Sequence, residues 1–472
     1  MSAPTPAADR IPLLQKIMVG AGVNTDSFAT SLMKNVLWMP FFNIGMGMSP
    51  AILSMILVIF QIWNAFMDPI MGNISDNART RWGRRRPYMV VGAVLIACIY
   101  PFIWRAPFAW GETGAVFYLI GIGLLFYTSF SVWAMPYYAL QIELTPNYDE
   151  RTRLSAWITF FGKISSLGSS WILALLTCGW FLSPLTGKPD LVIGLKTCSW
   201  GIAVLILIFG LLPAIFVKER YYKVEAKQRT REPLLRSLRE SAKCKPLWNL
   251  IGISFFAVVG TSALGSLGQY LNFYYVFDGD IGAAAIVSGW KGTATVVFGI
   301  ASIPLWTWLS ERYDKRAIVF AMLTLTMLGH LMNYFCMRPD MPYLQLIPGV
   351  FESCALGAVW MFIPSMKADI ADYDEVDTHH RREGALNAFF SWFIKASFTC
   401  SIGLSGIMLE ISGFTSKVAH QTPEVLHRMM MFYLFVPTAI WIIALFFVYR
   451  YPLSRGRMAE IRTLLEARRG KI

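Results

Sequence analysis

Apolar runs long enough to cross a bilayer recur along the whole chain, at 15–41, 49–73, 87–107, 114–140, 154–182, 193–217, 246–275, 283–309, 317–337, 341–366, 385–411 and 427–450. A hydrocarbon core about 30 Å thick takes about 20 such residues per helical crossing, and inside it the backbone must satisfy its own hydrogen bonds. The expected fold is therefore an all-α polytopic membrane protein with twelve transmembrane helices. Composition agrees, because 472 residues that are 55% hydrophobic and 15% charged leave too little polar material to cover a water-soluble globule. No separate soluble domain fits beside the runs. The opening MSAPTPAADRIPLLQK carries no evident cleavable signal, so the first helix is expected to direct insertion.

Basic residues are distributed unequally between alternate loops. One set holds Arg79, Arg81, Arg84, Arg85 and Arg86, then Arg151 and Arg153, then Arg312, Lys315 and Arg316, then Arg381 and Arg382; the other is sparse, with Arg105, Lys188, Lys196, Arg338 and Lys417. The positive-inside bias puts the first set in the cytoplasm, and with it both termini. The expected location is the plasma membrane, or the inner membrane of a bacterial cell. The chain then divides into a six-helix N-terminal half (1–217), a cytoplasmic central loop (218–245), a six-helix C-terminal half (246–450) and a cytoplasmic tail (451–472). Loop placement accounts for the net charge of +13, so the basic balance is no signature of nucleic-acid binding. Within the central loop, PLLRSLRESA has helical spacing and reads either as a segment along the membrane surface or as a solvated linker.

The two halves repeat one another. GNISDNARTRWGRRRP follows the second run and WLSERYDKRA the eighth, each placing an acid before a basic cluster. NYDERTRLSAWITFF follows the fourth and DYDEVDTHHRREGALNAFF the tenth, sharing Tyr-Asp-Glu, a later Arg and a Phe-Phe pair. Such repeats related by an axis along the membrane normal are the major facilitator architecture, with a substrate cavity expected near mid-membrane. The acid and Arg groups of these loops read equally as gating contacts or as topology anchors.

In QIWNAFMDPIMGNISDNARTRWGRRRPYM and ADIADYDEVDTHHRREG the sequence resembles the glycoside, pentoside and hexuronide cation symporters, the melibiose-permease-like family. The similarity extends in order from the first helix to the eleventh. It implies a sugar or glycoside carried with a cation.

Ionisable groups in the spans cost at least about 2.5–3.5 kcal/mol each on insertion scales, so those that persist usually face a cavity or a partner. Asp26, Lys34, Asp68, Lys163, Lys291 and Lys395 stand out. Asp26 lies among small residues in GVNTDSFATSLMKN, where a ligand can approach the backbone. It reads as the acceptor of paired sugar hydroxyls, and the resemblance matches it to the family's sugar-binding aspartate; the alternative is an internal partner such as Lys34. The resemblance makes Asp68 a cation-site or coupling carboxylate, against a purely structural helix-end acid. Asn64 stands one turn earlier where the family pattern has a second aspartate, Met67 replaces an asparagine, and Ala134 replaces an aspartate of the sugar pocket. These losses favour protons over sodium, which wants several fixed oxygens, and leave uncoupled facilitation open.

Lys395 matches a family lysine and is expected to link sugar and charge, or else to pair an acid for assembly alone. Ser391, in the same stretch, joins the expected substrate set. Aligning the Phe-Phe pairs puts Lys163 at the repeat-equivalent depth of Lys395, and two such charges would favour an anionic substrate such as a uronide. Sugar C–H faces stack on rings, which brings in Trp133, and the resemblance adds Tyr138 and Trp360; many of the 17 Trp and 19 Tyr must instead pack or anchor the interface.

The seven cysteines are scattered without metal or disulfide spacing, His379 and His380 form a loop pair, and GNIS and WGRR lack the lysine of a phosphate loop. Neither a metal site, a bound cofactor nor an enzyme is expected; the co-transported cation is cargo. The expectation is a monomeric symporter in the lipid bilayer, with a lysolipid carrier and a non-transporting sensor as rivals.

Overall fold

The structure, a computed structural model, describes residues 10–78, 80–144, 148–184, 187–219, 242–378, 383–415, 418 and 420–469. The PLLRSLRESA segment and His379 and His380 lie outside the described residues. The chain forms two compact units, one within residues 1–230 and one within 231–472. The N-terminal unit contains α1 (Leu13–Asp26), α2 (Pro50–Asn77), α3 (Arg86–Ile103), α4 (Gly111–Glu143), α5 (Tyr148–Leu176) and α6 (Leu191–Phe216). The C-terminal unit contains α7 (Lys245–Leu271), α8 (Ile281–Ala301), α9 (Ile303–Arg312), α10 (Lys315–Leu331), α11 (Asn333–Cys336), α12 (Leu346–Thr378), α13 (Glu383–Ile411), α14 (Pro423–Arg450) and α15 (Arg455–Arg469).

Among the described residues, ten helical stretches are long and apolar enough to cross a membrane. The other two expected spans, 15–41 and 341–366, fall on α1 and on the 33-residue α12. Beyond Asp26, α1 continues as π-helical turns over Ser27–Ser31, Met33–Leu37 and Pro40–Gly45. Such widened turns are uncommon and gather at functional sites. They end in a buried aromatic knot, where Trp38 donates to the Leu53 carbonyl at 3.2 Å and Phe42 stacks on Trp104 at 5.7 Å. Gly92 lets α3 approach α4 closely, since a Cβ there would stand 2.6 Å from the Trp133 backbone nitrogen.

Two carboxylates fasten the end of the N-terminal unit at which α1 begins. Glu219, just past α6, accepts from the backbone N–H groups of Arg84 at 2.9 Å, Arg85 at 2.8 Å and Arg86 at 3.3 Å, placing an anion on the exposed amides at the start of α3. Gly83 makes the turn with φ +111°, and any side chain on it would collide with the Glu219 carboxylate. Glu150, only 1% exposed, binds Lys16 at 2.7 Å, Arg153 at 2.7 Å and the Ile11 N–H at 3.2 Å, tying the start of α1 to α5. Burial raises the Glu150 pKa, but its bonds to Lys16, Ile11 and Arg153 outweigh that and hold it below the usual carboxylate value. A depressed folded pKa gives stability that is present above the unfolded pKa and is lost as pH falls through the folded one. Glu150→Gln is expected to cost on the order of 1–3 kcal/mol of stability at neutral pH, read as a lower thermal unfolding midpoint in detergent. The gap from wild type should close on acidification, and an equal deficit at every pH would contradict the ionic account.

In the C-terminal unit the basic tail is a packed amphipathic helix. Met458, Ile461 and Leu465 of α15 are buried in the core of that unit, and the Arg455 N–H donates to Asp314 Oδ1 at 2.9 Å. Lys315 meets Asp369 at 2.6 Å nearby.

Candidate functional site

Asp26 sits where the regular turns of α1 give way to π-helical ones. Its Oδ1 accepts from the Thr30 hydroxyl at 2.8 Å and its Oδ2 from the Tyr138 hydroxyl at 2.8 Å. A carboxylate has about four lone-pair sites, and Asp26 is only half-buried, so acceptor capacity remains for hydroxyls of a ligand. Tyr138 of α4 is 36% exposed and lies within electrostatic reach of both Asp26 and Asp68. Lys34, farther along the π-helical stretch, also feels the Asp26 charge.

Asp68 is 5% exposed between α2 and α4. The Ser131 hydroxyl stands 2.8 Å from Asp68 Oδ1 and 3.0 Å from Asn64 Oδ1, and the Asn64 amide donates to Asp68 Oδ2 at 3.5 Å. One carboxylate, one amide oxygen and one hydroxyl therefore converge. Such a set can exchange a proton at the carboxylate, and it holds one negative charge among neutral oxygens.

Helix α4 joins the two carboxylates. Ser131 and Tyr138 are seven residues apart, two turns along one face and about 10 Å along the axis, so the partner of Asp68 and the partner of Asp26 stand in line. Ala134 lies between them on that face and is fully buried. Trp133 is on another side. It is fully buried, stacks on Tyr137 at 4.6 Å and donates to the Gly210 carbonyl at 3.1 Å, so its ring and N–H are engaged in packing α4 against α6.

Lys163 is half-buried on α5. The Ser165 hydroxyl donates to Asn24 Oδ1 at 2.5 Å and sets the register of α5 against α1, placing Lys163 about one turn from the depth of Asp26.

Within the C-terminal unit, Lys367 donates to Asn387 Oδ1 at 2.6 Å, which sets the depth of α12 against α13. Trp360 is seven residues along α12 from Lys367, and Lys395 is eight along α13 from Asn387, so both lie about 10–12 Å from that bond along their axes. Trp360 is 59% exposed, and Ser391 and Lys395 are half-buried.

Sequence reasoning singled out Lys291 but passed over its partner Glu352 and the His330 that Glu352 meets in turn. Glu352 of α12 contacts Lys291 at 3.6 Å and His330 Nδ1 at 2.9 Å, and it accepts from Asn333 at 2.9 Å. Both Glu352 and His330 lie inside expected spans, so the cost of an intramembrane ionisable group was the signal that could have found them.

Comparison with known proteins places this chain in a family. A glucuronide carrier protein homolog of Escherichia coli is 22% identical, covering 90% of this chain and 89% of its own. A sodium-dependent lysophosphatidylcholine symporter of Danio rerio is 23% identical, covering 87% and 80%. The crystal structure of a D-xylose-proton symporter superposes with a TM-score of 0.62 at 13% identity, over 93% of this chain and 96% of its own, which is a likeness of fold. The family model described as MFS/sugar transport protein matches residues 18–455. The chain is thus a multi-pass membrane transporter rather than an enzyme, and it belongs to the MFS/sugar transport family, the glycoside, pentoside and hexuronide group of the major facilitator fold.

Proposed function

We propose that this protein is a secondary active transporter that moves a sugar, glycoside or uronide together with a cation, a proton in preference to sodium, by alternating access. It works as a monomer in the plasma membrane with both termini cytoplasmic. The observation that carries the reading is the single face of α4, where Tyr138 binds Asp26 and Ser131 binds Asp68 two turns away. Asp26 takes sugar hydroxyls, positioned by Tyr138. Asp68, with Asn64 and Ser131 around it, carries the coupling charge. The carboxylate of this trio suits a proton, whereas sodium wants more fixed oxygens than the three groups supply. Trp360 and Lys395 offer a ring and a cation at similar depth in the C-terminal unit, Ser391 a hydroxyl one turn away, and Lys163 adds a second cation in the N-terminal unit. Each such cation favours an anionic sugar such as a uronide, a substrate class in keeping with the glucuronide carrier homolog. Trp133 contributes by holding α4 in place.

The test is uptake of a panel of neutral glycosides and uronides into proteoliposomes, with proton and sodium gradients imposed separately. Proton-driven, sodium-independent uptake supports the reading, and uptake indifferent to both gradients makes the protein a facilitator. A lysolipid cargo is the second reading, favoured by the lysophosphatidylcholine symporter among the relatives; it takes over if no sugar enters and lysolipid does. Within the sugar reading, Tyr138→Phe removes one hydrogen bond to Asp26 and is expected to raise the half-saturating sugar concentration about 3–10-fold. An unchanged value would detach Tyr138 from the sugar site.

A further inference from the structure

The C-terminal unit holds a polar cluster that the proposed sugar and coupling groups do not use. His330, at the end of α10, is fully buried. Its Nε2 lies 2.8 Å from the Tyr433 carbonyl oxygen of α14. A carbonyl can only accept, so Nε2 carries a proton. Its Nδ1 lies 2.9 Å from Glu352 Oε1. A bond at that distance needs a proton as well, either on Nδ1, giving imidazolium beside carboxylate, or on Glu352, giving a neutral acid beside neutral imidazole. In both forms the pair holds one proton more than a neutral histidine next to a carboxylate. Loss of that proton would leave the Nδ1 lone pair facing an anion.

From this count we infer that His330 and Glu352 form a proton-binding site of the C-terminal unit, with Lys291 as its neighbouring countercharge. The surroundings fit a site that loads and unloads. The Asn333 amide donates to Glu352 Oε1 at 2.9 Å and holds the carboxyl in place. Among the described residues, the titratable groups facing the pair are Lys291 of α8, 3.6 Å from Glu352 Oε2, and Tyr433 of α14, whose ring lies 4.8 Å from the imidazole. With the proton bound, the His330, Glu352 and Lys291 group carries a net charge of +1; without it, the charge is zero. Glu352 and Lys291 keep 19% and 27% side-chain exposure, while His330 has none. The proton therefore enters and leaves by way of Glu352, and the histidine behind it acts as the store.

As a proton site this stands on its own hydrogen bonds; as a coupling element it rests on the proposed proton symport. The chain contains only five histidines, so nitrogen NMR of the 15N-histidine-labelled full-length protein in lipid nanodiscs can follow His330, identified by its absence in His330→Asn. A single protonation step is expected at His330 in the wild type. Glu352→Gln should weaken its proton affinity about tenfold or more, because the anion that holds the proton is gone. Lys291→Met, which leaves both hydrogen bonds of the imidazole intact, should strengthen it, because a nearby positive charge is gone. Opposite shifts from the two variants are not expected of a merely structural pair. A His330 that keeps one neutral tautomer from pH 5 to 9, or that responds to neither variant, overturns the inference. The wild type is informative even if a variant fails to fold. Uptake driven by a proton gradient, measured on the same preparations, reports on the proposed symport separately: a titrating His330 without proton-driven uptake keeps the site and discards the symport. Proton-driven uptake with an inert His330 does the reverse.

Discussion

Asp26→Asn is expected to raise the sugar concentration needed for half-maximal uptake by about 10–100-fold, with the protein still folded and inserted. A hydrogen bond to a charged acceptor contributes about 1.5–3 kcal/mol, and 1.4 kcal/mol is a factor of ten in affinity. Each Asp26 oxygen accepts one described side-chain bond, from Thr30 on one side and Tyr138 on the other, so the remaining lone pairs are those available to a ligand. Asparagine keeps the shape and one acceptor oxygen. The Tyr138 hydroxyl can rotate to accept from the new amide, so the internal contacts survive while charge-assisted binding of ligand hydroxyls is lost. The measurement is initial-rate uptake into proteoliposomes at fixed pH and fixed gradient. An unchanged half-saturating concentration would reduce Asp26 to a structural partner of Thr30 and Tyr138.

The elements that were legible in the sequence are those whose signal is long. Apolar runs fix where helices cross lipid because backbone polar groups have no other partner there. The motif around Asp68 identified the family because many residues match in order. Positions on helices were less legible. Trp133 and Tyr138 are both aromatic residues of one run, yet five residues rotate the helix by about 500°, so Tyr138 reaches Asp26 while Trp133 faces α6. Composition cannot distinguish them; only the register of α4 against its neighbours does. The π-helical turns beyond Asp26 were invisible for a related reason, since periodicity rules assume a uniform 3.6-residue turn. Lys291 looks like an isolated charge near the start of a run because its partner Glu352 lies 61 positions later, on a helix that packing alone brings alongside. The segment of α15 reads in the sequence only as a cytoplasmic tail, yet its Met458, Ile461 and Leu465 fall at the three- and four-residue spacing of an apolar stripe.

Asp68→Asn is expected to abolish accumulation of substrate against a gradient while leaving exchange of substrate across the membrane measurable. The reasoning begins with what the trio can hold. Ser131 has one proton and two acceptors within reach, Asp68 Oδ1 at 2.8 Å and Asn64 Oδ1 at 3.0 Å, and the Asn64 amide faces Asp68 Oδ2 at 3.5 Å. Asn64 and Ser131 do not titrate in the working range, so of the three only Asp68 changes charge when a proton binds. A carrier couples when it reorients readily empty or doubly loaded and poorly when loaded once, which requires the cation to change a free energy that the sugar also changes. Asparagine fixes that group in a neutral state. Such a variant should still cycle with sugar alone, and it should equilibrate labelled sugar without responding to an imposed proton gradient, so that uptake levels off at the outside concentration. Exchange assays at matched pH and gradient-driven uptake on one preparation separate the two steps. Gradient-driven accumulation that survives the substitution would move the coupling charge away from Asp68, and loss of exchange together with accumulation would make the residue essential to reorientation itself.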